Sequence, residues 1–167
     1  MFLSLLKIVE STTVDGPGFR TSIYCAGCEN ACKGCHNPQS WDIKNGVMTD
    51  VEEIYKRIVA NDMENVTFSG GDPMFQPEAF TYLAKKIKEN TTKTIWCYSG
   101  YVYEQLIQMP KQRGMLNYID VLVDGPYIEA LHDADLVFRG SKNQRLIDVQ
   151  KSLKNGQVEL FEYKIGL

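Results

Sequence analysis

The stretch Cys25-Ala-Gly-Cys28-Glu-Asn-Ala-Cys32-Lys-Gly-Cys35-His36 holds four of the five cysteines of the chain within twelve residues. Cys28, Cys32 and Cys35 have the spacing CxxxCxxC, which lets one short loop direct three thiolates toward a single compact centre. Thiolates are soft ligands that favour iron-sulfur clusters, zinc or Cu(I). The stretch therefore predicts a metal centre around which the rest of the chain is organised.

Two other uses of these cysteines fit the spacing less well. A zinc ribbon built from Cys25, Cys28, Cys32 and Cys35 would usually separate its two pairs by about 15 to 20 residues, whereas three residues lie between them here. A disulfide framework is disfavoured because the chain shows no signal peptide, so its cysteine usage is typical of the cytosol. We interpret Cys25 as a small residue at a strand end. A non-catalytic interaction module stabilised by zinc remains an alternative.

Composition predicts one globular domain spanning residues 1–167. The chain is 44% hydrophobic and 23% charged, which is enough apolar material for one core and leaves no room for a second domain. A net charge of −3 argues against a partner recognised through its phosphate backbone, so we expect no nucleic acid. No apolar run approaches the ~20 residues needed to cross a bilayer, so we expect no membrane and a cytoplasmic location.

Strand patterns alternate with helix patterns along the chain. The predicted strands are 19–24, 65–68, 93–98 and 118–123, with candidate late strands at 145–149 and 158–163. The predicted helices are about 50–61, 77–90 and 102–108, with a short turn or helix around 151–156. This alternation favours an α/β fold with a mostly parallel sheet, and fewer than eight units predict a partial, open (βα) barrel. Ligands of such folds gather at the carboxyl ends of the strands.

The CxxxCxxC spacing resembles the cluster motif of radical S-adenosylmethionine enzymes. The resemblance implies one 4Fe-4S cluster held by Cys28, Cys32 and Cys35, whose fourth iron binds the amino and carboxylate groups of S-adenosylmethionine. It also implies a barrel of the radical S-adenosylmethionine type. Gly34 and His36, which flank Cys35, would lie against the adenine. For His36, a polar residue that only shapes the loop is the alternative.

A glycine-rich turn, Ser69-Gly70-Gly71-Asp72-Pro73, follows the second predicted strand. Taken alone it is most simply a turn, because glycine is the usual residue where φ is positive. In the superfamily the equivalent turn is usually Gly-Gly-Glu and receives the amino group of the methionine. The resemblance therefore implies cofactor contacts from Ser69, Gly70, Gly71 and Asp72. Asp124, after another strand, could accept hydrogen bonds from ribose hydroxyls or a substrate amide, or could only initiate a turn.

Further motifs resemble the activating enzymes of glycyl-radical proteins. They include Arg20, Tyr24 and Asn37, and they extend from residue 15 to residue 148. The stretch 139–145 is rich in cations and amides; it is either a solvated loop or a grip for carboxylates and peptide groups. Within this group the chain resembles the activating proteins of anaerobic ribonucleoside-triphosphate reductase.

The resemblance implies an enzyme that uses a 5′-deoxyadenosyl radical to generate a glycyl radical on that reductase. An external reductant such as flavodoxin would supply the electron. The cofactor carries the hard chemistry, so no catalytic residues are expected beyond the cluster and cofactor ligands. The runner-up is an activase of another glycyl-radical enzyme such as pyruvate formate-lyase. Cys97 is predicted to be a packed core thiol, and His132 is assigned no role.

Overall fold

The computed structural model describes residues 1–164. Within these residues the strands are β1 Phe2–Thr12, β2 Arg20–Cys25, β3 Val47–Asp50, β4 Asn65–Gly70, β5 Ile95–Tyr98, β6 Val121–Asp124 and β7 Arg145–Asp148. The α-helices are α1 Val51–Val59, α2 Pro77–Asn90, α3 Tyr103–Leu106, α4 Pro110–Leu116 and α5 Val149–Asn155. Short 3-10 helices occupy Pro38–Ser40, Ile43–Asn45, Pro73–Phe75 and Glu129–Leu131.

In the described part of the chain, the seven strands form one open sheet in the order β3-β1-β2-β4-β5-β6-β7. The central strands β2, β4, β5 and β6 are parallel. Strands β1 and β3 on one side and β7 on the other are antiparallel to their neighbours. The predicted α/β class and open sheet are confirmed, but the sheet is more mixed than predicted, because its outer strands run antiparallel.

The fold differs from the prediction in four elements. Strands β1 and β3 and helix α4 were not predicted. Register shifts between Leu5 and Lys7 and between Val9 and Thr12 interrupt the pairing of β1 with β2, so β1 shows no clean two-residue alternation. The predicted strand at 158–163 is wrong, since within the described residues that segment contributes only an isolated bridge between Ile147 and Leu160.

One face of the sheet packs against the helices. Ile23, Phe68, Cys97 and Leu122 face one another across the four central strands, and each is fully buried. The ring of Phe80 in α2 lies 4.7 Å from that of Phe68, centroid to centroid. Burial of a large apolar side chain stabilises the fold by about 1.5 to 3 kcal/mol. Because Cys97 is fully buried among these residues, it is a packed core thiol, as predicted.

The opposite face carries a buried arginine beside an aromatic cluster. The Arg20 guanidinium donates hydrogen bonds to the Thr67 hydroxyl (2.8 Å) and the Val66 carbonyl (2.8 Å). It also lies 5.6 Å from the ring of Trp96, which packs edge-on against Phe138. Burial lowers the pKa of Arg20 to about 10. These contacts fix the side chains on this face of the sheet.

No helix within residues 1–164 is both long enough and apolar enough to span a bilayer.

Candidate functional site

Backbone hydrogen bonds close the base of the cysteine loop, residues 27–41, just after β2 ends. The Gly27 N–H donates to the Ser40 carbonyl (2.7 Å), and the Cys28 N–H donates to the Trp41 carbonyl (3.1 Å). Gly27 has a φ of +98°, and a Cβ there would lie 2.4 Å from the ring of Phe75. The loop can therefore leave the strand at this angle only with glycine at residue 27.

Cys28, Cys32 and Cys35 line a single cavity of about 270 Å³ at the carboxyl ends of the parallel strands. All three thiols are partly exposed, whereas Cys25 and Cys97 are buried. The other lining residues are Asn30, His36, Asn37, Ser69, Gly70, Gly71, Tyr98, Ser99, Gly100, Val123, Gly125, Tyr127, Gly140 and Gln144. The structure thus brings the three predicted cluster ligands to one wall and the glycine-rich turn to the same cavity.

In residues 1–164, no three His, Cys, Asp or Glu side chains are grouped closely enough to share one metal ion. A four-iron cluster does not require such a group, because each cysteine binds a different iron atom. Cysteine thiolates are the usual ligands of these clusters, and a short cysteine loop open to a cavity has the donor set that they need.

Two N–H groups point at the sulfur atoms of the loop. The Asn30 side-chain amide lies 3.6 Å from the Cys28 sulfur, and the Asn37 backbone N–H lies 3.4 Å from the Cys35 sulfur. Partial burial raises the pKa of Cys28. Hydrogen bonds to the sulfurs are among the factors that set the potential of an iron-sulfur cluster. The surroundings of the thiols therefore fit an iron-sulfur cluster.

The Gly70-Gly71 turn is packed tightly beneath the cysteine loop. Gly70 has a φ of +104°, and a Cβ on it would lie 2.3 Å from the Cys25 nitrogen. A Cβ on Gly71 would lie 2.5 Å from the Gly27 carbonyl oxygen. The two glycines are thus required for close packing, and they also leave backbone exposed in the cavity beside Ser69.

Asp72 lies behind the cavity wall. Its side chain is 1% exposed, and its carboxylate accepts four hydrogen bonds. The donors are the Asn30 amide (3.0 Å), the Met74 N–H (2.9 Å), the Ser99 hydroxyl (3.0 Å) and the Gly100 N–H (2.9 Å). Burial raises its pKa to about 6, although these hydrogen bonds act in the opposite direction. The carboxylate joins three segments of the wall.

Asp124 is also turned away from the cavity. It is fully buried, and its carboxylate accepts hydrogen bonds from Arg145 Nε (3.0 Å), Arg145 Nη2 (2.6 Å) and the Tyr103 N–H (2.8 Å). Arg145 also forms an ion pair with Glu104 at 2.7 Å. The hydrogen bonds that Arg145 donates to the carboxylates of Asp124 and Glu104 raise its pKa. This guanidinium is therefore engaged within the chain and is not available to grip a partner.

The two residues predicted to lie against adenine have different positions. Gly34 is exposed on the outer side of the loop, with a φ of +78° and space limited by Glu129. His36 lines the cavity, and its ring centroid is 5.2 Å from that of Tyr127. His132 stands edge-on to His36 at 6.4 Å. The structure thus places one of the two predicted residues beside the cavity, in an aromatic group.

Sequence reasoning missed Tyr98, Tyr127 and Gln144 as lining residues. The Gln144 amide clamps two segments, because it donates to the Gly125 carbonyl (3.0 Å) and accepts from the Gly140 N–H (2.9 Å). Tyr98 could have been found from its place at the end of a strand. No comparable signal marks Gln144, whose position depends on a long connection between β6 and β7.

The chain is similar to one family model and to proteins of known name. The family described as a 4Fe-4S single cluster domain matches residues 14–147, which include all three cavity-lining cysteines. Three relatives carry the name anaerobic ribonucleoside-triphosphate reductase-activating protein. The Haemophilus influenzae protein is 36% identical over 85% of this chain and 96% of its own length. The enterobacteria phage T4 protein is 36% identical over 84% and 90%. The Escherichia coli K12 protein is 30% identical over 78% and 89%.

Proposed function

Because the chain belongs to the family of anaerobic ribonucleoside-triphosphate reductase-activating proteins, we propose that it is the enzyme that generates the glycyl radical of such a reductase. One observation carries the proposal: in a chain of this family, Cys28, Cys32 and Cys35 line one cavity together with the Gly70-Gly71 turn. The reaction class that we propose is radical S-adenosylmethionine chemistry.

Cys28, Cys32 and Cys35 would hold one 4Fe-4S cluster, with N–H donors at the sulfurs of Cys28 and Cys35. When bound and reduced, the cluster supplies the electron that splits S-adenosylmethionine into methionine and a 5′-deoxyadenosyl radical, which takes a hydrogen atom from a glycine Cα of the reductase. Reductive cleavage of this kind needs a potential near the low end of the range of roughly −700 to +450 mV.

The wall of the cavity would bind and orient S-adenosylmethionine. The exposed backbone at Ser69, Gly70 and Gly71 offers polar groups to its methionine part, and His36 with Tyr127 offers an aromatic surface to its adenine. Flat rings can provide stacking area for a planar base. No side-chain acid or base is needed, so we assign catalytic roles only to the ligands and cofactor contacts.

Asp72 and Asp124 would act on the cofactor indirectly. Both carboxylates are buried and accept hydrogen bonds from other segments of the chain, and neither lines the cavity. Asp72 fixes the Ser99-Gly100 turn, and Asp124 holds Arg145 against the start of α3. We propose that they preorganise the wall. Gly34, on the outer side of the loop, would serve the adenine site only by shaping the loop.

The open sheet is, in this proposal, the partial barrel of a radical S-adenosylmethionine enzyme, and residues 1–167 form its one domain. Because the sheet is not closed, the cavity at its carboxyl edge stays accessible, which suits a protein substrate that inserts a loop carrying the target glycine. The electron would come from an external reductant such as flavodoxin. Free thiols on an open loop suit the reducing cytoplasm, where we place the reaction.

The proposal is tested by anaerobic reconstitution with iron and sulfide. After reduction with dithionite in the presence of S-adenosylmethionine, we expect 5′-deoxyadenosine by chromatography and, with the reductase added, a glycyl-radical signal by electron paramagnetic resonance. Pyruvate formate-lyase is the matched partner control and should give no radical. A protein that takes up zinc but not iron would contradict the proposal and favour a structural zinc loop.

Alanine variants of the cysteines identify the ligands. Replacing Cys28, Cys32 or Cys35 should abolish iron uptake, because each removes one of three ligands. Cys25→Ala and Cys97→Ala are the matched controls, since both thiols are buried outside the cavity, and they should retain iron. Iron and absorbance near 400 nm are measured for each variant. Loss of iron from a correctly folded Cys25→Ala protein would refute this choice of ligands.

A further inference from the structure

Asn30 lies between Cys28 and Cys32, and its side chain turns inward. Its Nδ2 atom is 3.0 Å from Asp72 Oδ2 and 3.6 Å from the Cys28 sulfur. A side-chain amide nitrogen carries two hydrogens, so it can donate to both acceptors at once. The amide therefore bridges a buried carboxylate and a thiol of the cavity wall.

The position of this amide is determined from two sides. Asp72 is held by donors from Met74, Ser99 and Gly100, so it is a fixed acceptor. Gly100 supplies the space: a Cβ at that residue would lie 2.2 Å from the Asn30 Nδ2 atom and 2.5 Å from its Cγ. Any larger residue at 100 would displace the Asn30 amide. The bridge thus depends on the Asn30 amide and on the lack of a side chain at Gly100.

An N–H donor at a ligating sulfur stabilises the more negative redox state of a cluster. Reduction adds an electron, so a hydrogen bond to the thiolate favours the reduced form more than the oxidised form and raises the reduction potential. The effect is strongest when the donor is held in place rather than free to rotate away. Asp72 supplies that restraint for Asn30, because it accepts from the same nitrogen atom.

We propose that Asn30 is a positioning residue that ties the Cys28 sulfur to buried Asp72 and raises the reduction potential of the cluster. The inference rests on the proposed function, since it assumes a cluster on Cys28. It assigns Asp72 an effect on the cluster that is transmitted through the Asn30 amide. It also gives a reason for the absence of a side chain at residue 100, which lies outside the cysteine motif.

The test compares reduction potentials of reconstituted proteins. Asn30→Leu keeps nearly the same shape but removes both donors and leaves no room for a bridging water. Gly100→Ala keeps Asn30 but displaces its amide. We expect both variants to lower the equilibrium constant for reduction about threefold to tenfold, which is about 30 to 60 mV for a one-electron couple. The potential is read from a redox titration followed by electron paramagnetic resonance.

Matched controls separate this effect from general damage. Asn90→Leu changes an exposed asparagine at the end of α2, and Gly114→Ala adds a methyl group where nothing lies within 4 Å. Both should keep the wild-type potential. Wild-type potentials in Asn30→Leu and Gly100→Ala would overturn the inference, as would loss of iron uptake from both, which would make the amide a requirement for assembly instead. Failure of the wild-type protein to bind iron would instead refute the proposed function.

Discussion

Lowering the pH from 7 to 5 should stabilise the protein through Asp72. Burial raises the pKa of this carboxyl to about 6, from an ordinary value of 3.8. A carboxyl with a raised pKa stabilises the fold when it is protonated. Its contribution is fully present below the ordinary pKa and is lost as the pH rises through the folded value. Linkage over these two values predicts a gain on the order of 1 kcal/mol between pH 7 and pH 5.

The assay is urea unfolding of the cluster-free, reduced protein at both pH values, with the Asp72→Asn variant beside it. Other carboxyls act in the opposite direction. The hydrogen bond from Arg145 lowers the pKa of Glu104, so the stability that the Glu104 carboxylate contributes falls on acidification. The difference between wild type and variant removes such terms, because both proteins share them. An equal pH dependence in the two proteins would refute the reasoning.

Two predictions concern the buried supports of the site. Arg145→Leu should lower the free energy of unfolding by about 3 to 5 kcal/mol, because it leaves the fully buried Asp124 carboxylate without its charged partner. A loss below about 1 kcal/mol in urea unfolding would contradict this prediction. Gly70→Ala should cost more than about 2 kcal/mol and reduce iron uptake, because it combines a φ of +104° with a Cβ 2.3 Å from the Cys25 nitrogen. Gly114→Ala is its control and should unfold at nearly the wild-type urea concentration.

The family and the alternation of central strands and helices could be read from the sequence because both depend on local patterns. The cysteine spacing indicated an iron-sulfur protein, and the matched 4Fe-4S family supports it. The motifs predicted the family that the relatives confirm. Strand β1 was missed because its register shifts break the alternation that marks a strand.

The orientations of the side chains near the site were harder to predict than its backbone. Sequence order placed Asp72 and Asp124 at strand ends, but it could not show that each carboxylate would be enclosed by donors from distant segments. The donors to Asp72 include residues 42 and 28 positions away in the chain, Asn30 and Gly100. Whether a polar side chain faces a ligand or the protein interior depends on such contacts, which no local pattern encodes.

The hydrogen bonds of Gly27 and Cys28, which close the base of the cysteine loop, have a consequence for how the protein matures. Between these hydrogen bonds most residues of the loop are exposed or half-buried, and its internal backbone bonds include those that join Cys35 to Cys32 and Ser40 to Asn37. Opening this loop breaks these bonds and the hydrogen bond from Asn30 to Asp72 but leaves the strand ladders intact, so it belongs to the low-energy end of native-state fluctuations. Iron and sulfide can then enter a chain that is already folded, and assembly of the metal centre becomes a step separate from folding.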